Sequence, residues 1–252
     1  MRIWISRICI ILLSVISLSL LATSLQSKSL PHKDTDFSQQ LSTAQAIQTT
    51  FASNNNTLAE QPKYEVVAVD STNYGPRFPT DINGVPVSNQ PIIVLHETVS
   101  SATSTINFFQ TPHTDESKQA SYHTLIKLDG TIVYLVPPEY RAFGAGNSVF
   151  DGPSGAEAVK THANFPPSVN NFAYHTALET PPNGRNNARR HGGYTEAQYR
   201  SLAWLVAQSE VPDNRITTHR AVDRSGTRID PRSFDFKKFL NLLHSYRRKN
   251  IK

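Results

Sequence analysis

The sequence PIIVLHETV occupies residues 91–99. Its apolar run IIVL is rich in β-branched residues, which is typical of a buried strand. Alternation along a strand places Ile92, Val94 and His96 on one face, and His96 lies where the apolar run gives way to polar residues. The stretch therefore predicts a buried strand that carries a histidine at its exit.

The sequence also predicts a β-hairpin, a further strand and a short helix. SYHTLIKLDGTIVYLVPP, residues 121–138, predicts that hairpin, because Asp129-Gly130 joins two β-rich arms. NNFAYHTALET, residues 170–180, predicts a further strand, and SATSTINFFQ, residues 101–110, predicts a short helix.

Two longer helices are predicted in the C-terminal part. In YTEAQYRSLAWLVAQSE, residues 194–210, Thr195 and Gln198 form a capping box ahead of periodic apolar positions. Apolar residues at helical spacing between Phe236 and Leu243 predict the last helix. Because strands and helices alternate, the predicted fold class is α/β, with a central mixed β-sheet flanked by helices in a single domain.

Residues 1–26 have the layout of a secretory signal peptide. Arg2 and Arg7 precede an apolar run at residues 8–21, and small residues follow it. An uncleaved membrane anchor is the alternative, since the run approaches the roughly 18 residues of a spanning helix. Serines interrupt the run, so cleavage is favoured and no membrane span would remain. The predicted location is the periplasm, the cell envelope or the extracellular space.

Composition limits the rest of the chain. Cys9 is the single cysteine and lies in the signal segment, so the exported protein would have no disulfide. The net charge is only +5, and the basic excess gathers at the C-terminus, in Arg247, Arg248 and the basic tail at residues 249–252, which excludes a nucleic-acid-binding stripe. Residues 27–62 are rich in Ser, Thr, Gln and Asn and predict a low-order tether. Residues 63–248 have the size of one domain.

A second segment supplies further residues that can bind metal. THRAVDRSGTRIDPRSFD, residues 218–235, places His219 and Asp230 on a turn-rich stretch. Zinc accepts neutral imidazole and carboxylate ligands, and a catalytic site has three protein ligands and an open position. His96, His219 and Asp230 would supply that set. Asp223 is a competing carboxylate, and loop carboxylates paired with nearby arginines are the alternative explanation for both aspartates.

Tyr122 lies early in the first arm of the hairpin, where alternation would place it on one face with Thr124 and Ile126. A phenol there can donate a hydrogen bond to a polarised carbonyl or orient the water of a metal. Core packing with a solvated hydroxyl is the alternative. His123, on the opposite face, is predicted to be structural.

Taken together, VLHETVS, SYHTLIKLDGTIVYLVP and THR…RIDP resemble the zinc-dependent N-acetylmuramoyl-L-alanine amidases of the type-2 amidase and peptidoglycan-recognition superfamily. The similarity extends over about residues 92–239. It implies a mixed sheet with helices on both faces and a zinc cleft at one edge of the sheet. The implied reaction is hydrolysis of the amide that joins the lactyl group of N-acetylmuramic acid to L-alanine in peptidoglycan.

The resemblance also implies roles for individual residues. By position, His96, His219 and Asp230 would be the ligands of a Zn²⁺ cofactor, and Tyr122 would be the catalytic tyrosine. Arg228 occupies the position at which many members have a catalytic lysine. Arginine does not release its proton as lysine can, so this substitution favours electrostatic stabilisation over proton transfer.

Two positions depart from the pattern of the family. Ala177 lies where many members have a glutamate in the strand. Glu179, two residues on and on the same face, and Glu97, beside His96, are therefore the candidates for a catalytic base; a strand-end charge in solvent is the alternative for Glu179. Gly144 lies where members often have a histidine before Ala-Gly, which affects one substrate contact.

The loop NGRNNARRHGG, residues 183–193, contains Arg185, Arg189, Arg190 and His191. These side chains could bind the carboxylates of stem peptides, but a solvated loop is the simpler interpretation.

The favoured hypothesis is an exported zinc hydrolase whose partners are peptidoglycan and its muropeptides. The main alternative is a non-catalytic peptidoglycan-binding module of the same fold. Recognition members commonly lack part of the metal set, which this chain keeps. A two-histidine phosphoesterase, suggested by HET at residues 96–98, needs a second His-x-Ser/Thr, and HRA at residues 219–221 does not provide it.

Overall fold

The computed structural model describes residues 61–250. The predicted signal peptide, nearly all of the predicted tether and the end of the basic tail lie outside these residues. The strands in chain order are β1 (Tyr64–Val66), β2 (Tyr74–Pro76), β3 (Ile92–Glu97), β4 (Thr124–Ile126), β5 (Ile132–Tyr134), β6 (Tyr140–Ala142), β7 (Phe150–Gly152), β8 (Gly155–Glu157), β9 (Ala173–Leu178) and β10 (Ile216–Thr218).

The helices are α1 (Ala102–Gln110), α2 (Glu196–Ala207), α3 (His219–Val222) and α4 (Phe236–Asn250). Short 3₁₀ turns lie at Ser71–Asn73, Glu116–Lys118, Pro182–Gly184 and Asp213–Arg215. Within residues 61–250, no helix combines the length and the apolar character needed to cross a membrane.

Six strands form the central sheet in the order β1-β5-β4-β9-β3-β10. β3 pairs in parallel with both β9 and β10, and β4 pairs in parallel with β9, whereas β4 and β5 are antiparallel. The mixed sheet is therefore confirmed. All six residues of β3 are buried, as its continuous apolar run requires of a strand that is covered on both faces.

The local predictions are confirmed as well. The hairpin of β4 and β5 turns through Gly130, which adopts φ 87° and donates its N–H to the carbonyl of Lys127. Glycine accepts this left-handed conformation without steric cost. α2 begins with the predicted capping box, in which Thr195 and Gln198 each accept a hydrogen bond from the other's backbone N–H.

Helices cover both faces of the sheet. On one face, α2 and α4 pack Leu202 and Phe239 against a cluster that includes Leu95 and Ile126. On the other face, Phe109 of α1 packs near Leu125 and the rest of a second cluster. Neighbouring residues of one strand thus enter opposite clusters, as the pleat of a strand requires.

The parallel strands also decide where polar side chains meet. β3, β9 and β10 run in the same direction, so their carboxyl ends lie at one edge of the sheet. Thr218 at the end of β10 pairs with Leu95 of β3, which brings the next residue, His219, level with His96. This edge holds the chemically distinctive residues.

Candidate metal centre

Three predicted ligands converge at the carboxyl edge of β3 and β10. His96, His219 and Asp230 are buried, and each offers one ligand atom within 4.8 Å of the others. The carboxylate of Asp230 lies 3.1 Å from Nδ1 of His219 and 3.5 Å from Nδ1 of His96. The backbone N–H of Arg220 donates to the carbonyl of Asp230 at 2.9 Å, which fixes the end of the loop beside the helix that starts at His219.

Asp223, the competing carboxylate, does not join this group. One oxygen of Asp223 accepts from the backbone N–H of Ser225, and the other accepts from the backbone N–H groups of Thr227 and Arg228. Its carboxylate therefore organises the loop that leads to Asp230.

The surroundings hold His96 and Asp230 in the protonation states that bind a cation. Burial, followed by the charge of His219, lowers the pKa of His96 to about 4, so this imidazole is neutral at pH 7. Burial alone would raise the pKa of Asp230, but the imidazoles of His219 and His96 beside its carboxylate lower it well below the usual range. Neutral imidazole and ionised carboxylate are the forms that ligate zinc.

One of the four buried side-chain atoms that lack a hydrogen-bond partner in the described part of the chain belongs to a candidate ligand, which supports the fit of a metal. Nδ1 of His96 has no hydrogen-bond partner within the described residues, although it faces Asp230. Buried polar atoms are normally hydrogen-bonded, so an unpartnered nitrogen beside a carboxylate and a second imidazole fits an ion. The donor set of two nitrogens and one oxygen suits Zn²⁺ and leaves a fourth position open.

Tyr122 lies against this group, with its ring centroid 4.7 Å from that of His96. It packs edge-on to Phe109 in the cluster that contains Leu125, whereas Ile126 faces α2 and α4. The prediction that Tyr122 shares a face with Ile126 is therefore wrong. Because β4 begins only at Thr124, the alternation of the strand does not extend back to Tyr122.

Two potential hydrogen-bond donors are within electrostatic reach of the centre. Burial, and then the charge of Asp230, raises the pKa of Tyr122, so its phenol stays protonated. Arg228 is exposed on the loop before Asp230. Its positive charge acts on both His96 and Tyr122, where it contributes less to the pKa than burial does. The arrangement can bind a cation and offer donors to an oxygen that gains negative charge.

Glu179 is occupied by structural contacts. It is buried rather than solvated, and its carboxylate accepts from the backbone N–H groups of Ala102 and Leu128, both at 3.0 Å. The guanidinium of Arg185 also donates to it at 3.0 Å. The residue thus joins the start of α1 to the hairpin, which differs from the role of a free base that the sequence suggested. Ala177 pairs in register with His96 and brings only a methyl group.

Glu97 is likewise occupied. Its two oxygens accept from the guanidinium of Arg232 at 2.6 and 3.2 Å, and one of them accepts from the backbone N–H of the same residue. The hydroxyl of Thr180 and Nε2 of His191 lie 3.1 and 3.2 Å from the other oxygen. This buried ion pair fixes the segment just after Asp230 to the end of β3.

Comparison with known families identifies the family of the chain. The sequence profile of the N-acetylmuramoyl-L-alanine amidase family matches residues 88–233, more than half of the chain. The chain belongs to this amidase family. No curated protein matches the amidase significantly.

Several solved amidase structures are similar to the chain. The solution structure of AmpD from Citrobacter freundii is 24% identical, with 76% of this chain and 95% of that chain covered and a TM-score of 0.45. AmiD from E. coli, in complex with anhydro-N-acetylmuramic acid-L-Ala-D-gamma-Glu-L-Lys, is 18% identical, with 61% and 57% covered and a TM-score of 0.46. Staphylococcus aureus AmiA in complex with its ligand is 16% identical, with 82% and 92% covered and a TM-score of 0.48.

The loop at residues 183–193 of the amidase is fixed at several points. The guanidinium of Arg232 donates to three backbone carbonyls of the loop at 2.5 to 2.8 Å, and the imidazole of His191 is buried against Glu97. Arg189 and Arg190 are exposed. The prediction of a solvated loop therefore holds only for the exposed residues at the tip of this loop.

Sequence reasoning missed His175. Nδ1 of His175 lies 2.9 Å from Nε2 of His96, and both rings are fully buried. His123 is buried beside them, and its Nδ1 accepts the backbone N–H of His175, in keeping with the predicted structural role. A histidine in the middle of the buried stretch AYHTAL was the available signal, because a buried polar side chain needs a partner.

Gly144 is explained by the same histidine. A Cβ atom at position 144 would lie 2.5 Å from both Cγ and Nδ1 of His175. Because Gly144 has no side chain, the imidazole of His175 can occupy this space.

A separate apolar cavity lies away from this centre. It has a volume of about 690 Å³, and Ile93, Tyr134 and Trp204 are among its lining residues. None of the three candidate metal ligands lines it.

Proposed function

We propose that this amidase is an exported, zinc-dependent hydrolase of peptidoglycan that cleaves the amide between the lactyl group of N-acetylmuramic acid and L-alanine. Membership of the family supports the reaction and the substrate class. The observation that carries the proposal of zinc is the convergence of His96, His219 and Asp230. The layout of residues 1–26 supports export to the periplasm or cell envelope, where residues 27–62 would tether the domain.

The three ligands would hold the cofactor. When bound, Zn²⁺ acts as a Lewis acid that activates water and polarises an amide carbonyl. The lowered pKa of His96 supports this assignment, because the imidazole is already neutral at pH 7 and releases no proton on binding. Asp230 contributes the single negative charge among the three ligands and accepts a hydrogen bond from His219 when that histidine carries a proton on Nδ1.

Tyr122 and Arg228 would stabilise the oxygen of the scissile carbonyl as it gains charge. The raised pKa of Tyr122 keeps the phenol protonated, so it donates a hydrogen bond throughout the neutral pH range. One donor of this kind typically contributes about 3 kcal/mol to the transition state. Arg228 would act through its positive charge and keep its proton.

Neither glutamate acts as a free base in this proposal. Glu179 holds the start of α1 and the hairpin together, and Glu97 pairs with the buried Arg232. Both carboxylates would instead hold the strand ends in position around the metal ligands.

Mass spectrometry of purified peptidoglycan tests the function directly. We expect the purified protein to release stem peptides that begin with L-alanine and to leave glycan with a free lactyl carboxyl group. Removal of metal with a chelator should stop the release, and added Zn²⁺ should restore it. Release of other fragments would contradict the assigned bond, and release that a chelator does not affect would contradict the role of zinc.

The non-catalytic binding module makes a different prediction. Such a protein would sediment with peptidoglycan and release no peptide with or without Zn²⁺. The complete set of two imidazoles and one carboxylate favours the enzyme.

A further inference from the structure

We infer that His175 is a positioning residue that holds the proton of His96 on Nε2 and so leaves Nδ1 of His96 bare for the metal. The inference rests on the proposed zinc site. Nδ1 of His175 and Nε2 of His96 are 2.9 Å apart, and both side chains are fully buried. In β9 and β3, His175 pairs in register with Val94, so its ring reaches diagonally toward His96.

The role of the contact between His175 and His96 depends on which imidazole nitrogens carry protons. A neutral imidazole carries one N–H, on one of its two nitrogens. The nitrogen of His96 that faces Asp230 is Nδ1, and it ligates a metal only when it is bare. The proton of His96 is then on Nε2, where burial makes an unpaired donor costly. Nδ1 of His175, 2.9 Å away, would accept that proton. The proton of His175 itself is then on Nε2, a buried atom with no hydrogen-bond partner within the described residues.

His175 is itself held in place. Its backbone N–H donates to Nδ1 of His123 at 2.9 Å, and the two rings are stacked with centroids 5.8 Å apart and an interplanar angle of 11°. Because Nδ1 of His123 accepts, its proton is on Nε2, which lies 3.2 Å from the carbonyl of Tyr140. The acceptor for His96 is thus fixed by neighbouring strands and not by the metal loop.

Gly144 completes this arrangement by leaving space. A Cβ at position 144 would be 2.5 Å from Cγ and Nδ1 of His175, closer than side-chain atoms approach each other. A side chain at position 144 and the present position of the imidazole of His175 therefore exclude each other. We expect substitutions at the two positions to affect the metal through the same ring.

The affinity of the full-length protein for Zn²⁺, measured by competition with a chromogenic chelator, tests the inference without reference to activity. Loss of an outer partner of a metal-ligating histidine typically weakens metal binding about 10–100-fold. We expect that loss for His175→Ala. His175→Asn should recover most of the affinity, because its amide oxygen can accept the same hydrogen bond. His162→Ala, at a half-exposed histidine, is the matched control.

Unchanged affinity in His175→Ala, relative to the control, would overturn the inference. Equal losses in the Ala and Asn variants, with native circular dichroism in both, would also overturn it, because the acceptor would then be irrelevant. His219→Ala separates the two proposals: if it too leaves the affinity unchanged, the zinc site itself is rejected.

A double-mutant cycle tests the shared space. We expect Gly144→Ala to weaken Zn²⁺ binding about 10-fold or more by displacing His175, and to add little in a His175→Ala background. An equal loss in both backgrounds would show that Gly144 acts independently of His175 and would overturn this part of the inference.

Discussion

His219 lies one residue beyond the end of β10, level with His96 on the neighbouring strand, and the centroids of the two imidazole rings are 4.5 Å apart. Parallel pairing produces this relationship, because Thr218 is in register with Leu95 and the next residue of each strand follows in the same direction. Asp230 then needs only to return to the same edge, which a loop ordered by Asp223 achieves.

The ligand assignment predicts opposite zinc contents for variants at His219 and at Asp223. We expect wild-type protein to contain about one zinc per chain and His219→Ala to contain almost none after dialysis, with loss of amidase activity. Asp223→Asn should keep its zinc, because that carboxylate binds backbone N–H groups of the loop. Metal analysis with circular dichroism as a folding control checks both. Loss of zinc from Asp223→Asn alone would transfer the ligand role to Asp223.

Tyr122→Phe removes one proposed hydrogen-bond donor and little packing. We expect kcat to fall about 10²–10³-fold while zinc content and the free energy of unfolding stay close to those of the wild type. Tyr134→Phe, on β5 and in contact with Tyr64, is the control and should keep full activity. A normal kcat for Tyr122→Phe would assign the residue to packing against Phe109 and His96 alone.

The elements of this fold could be predicted because each rests on a local pattern. The β-branched run of β3, the Asp-Gly turn and the Thr195 cap are all encoded within a few residues, and the structure confirms them. The three candidate metal ligands could be predicted only as a set, from residue types and from the resemblance to the amidases.

The partners of these residues could not be predicted in the same way. His175 meets His96 because β9 lies next to β3, and strand order is not a local property of the sequence. Glu97 beside His96 suggested a base, yet its role depends on Arg232, which is distant in the chain. A buried carboxylate takes its function from the donors that reach it, and those are tertiary contacts.

Substitutions of Arg228 test whether positive charge or proton transfer at this position contributes to the rate of hydrolysis. Because the residue is exposed and screened by solvent, we expect Arg228→Ala to lower kcat only about 10-fold, equivalent to about 1.4 kcal/mol. Arg228→Lys keeps the charge and should retain most of the activity. Arg200→Ala, at an exposed position on α2, is the control. Steady-state kinetics at low and high salt check this, since the effect of Arg228→Ala should shrink at high salt.

Glu97→Gln distinguishes a structural carboxylate from a catalytic base. It leaves the guanidinium of Arg232 buried without its counter-charge, and breaking a buried pair in this way costs about 3–5 kcal/mol. We expect that loss in urea unfolding of the zinc-loaded protein. Glu179→Gln should cost less, because Arg185 is partly exposed. A Glu97→Gln variant with native stability and strongly reduced kcat would restore the role of general base.

The lowered pKa of His123 predicts how the stability of the metal-free protein depends on pH. Burial, and then the positive charge of Arg77, lowers the pKa of His123 from 6.5 to about 3 in the folded protein. The unfolded chain therefore binds more protons between these values, so the contribution of His123 is complete above pH 6.5 and is lost as the pH falls toward 3. At pH 5 the loss is about 2 kcal/mol.

The variant His123→Asn cannot titrate, although its amide oxygen can accept the N–H of His175. Between pH 7.5 and pH 5, the free energy of unfolding of this variant should therefore fall about 2 kcal/mol less than that of the wild type. Urea unfolding in the presence of a chelator measures both, and parallel losses in the two proteins would show that His123 does not contribute to acid sensitivity.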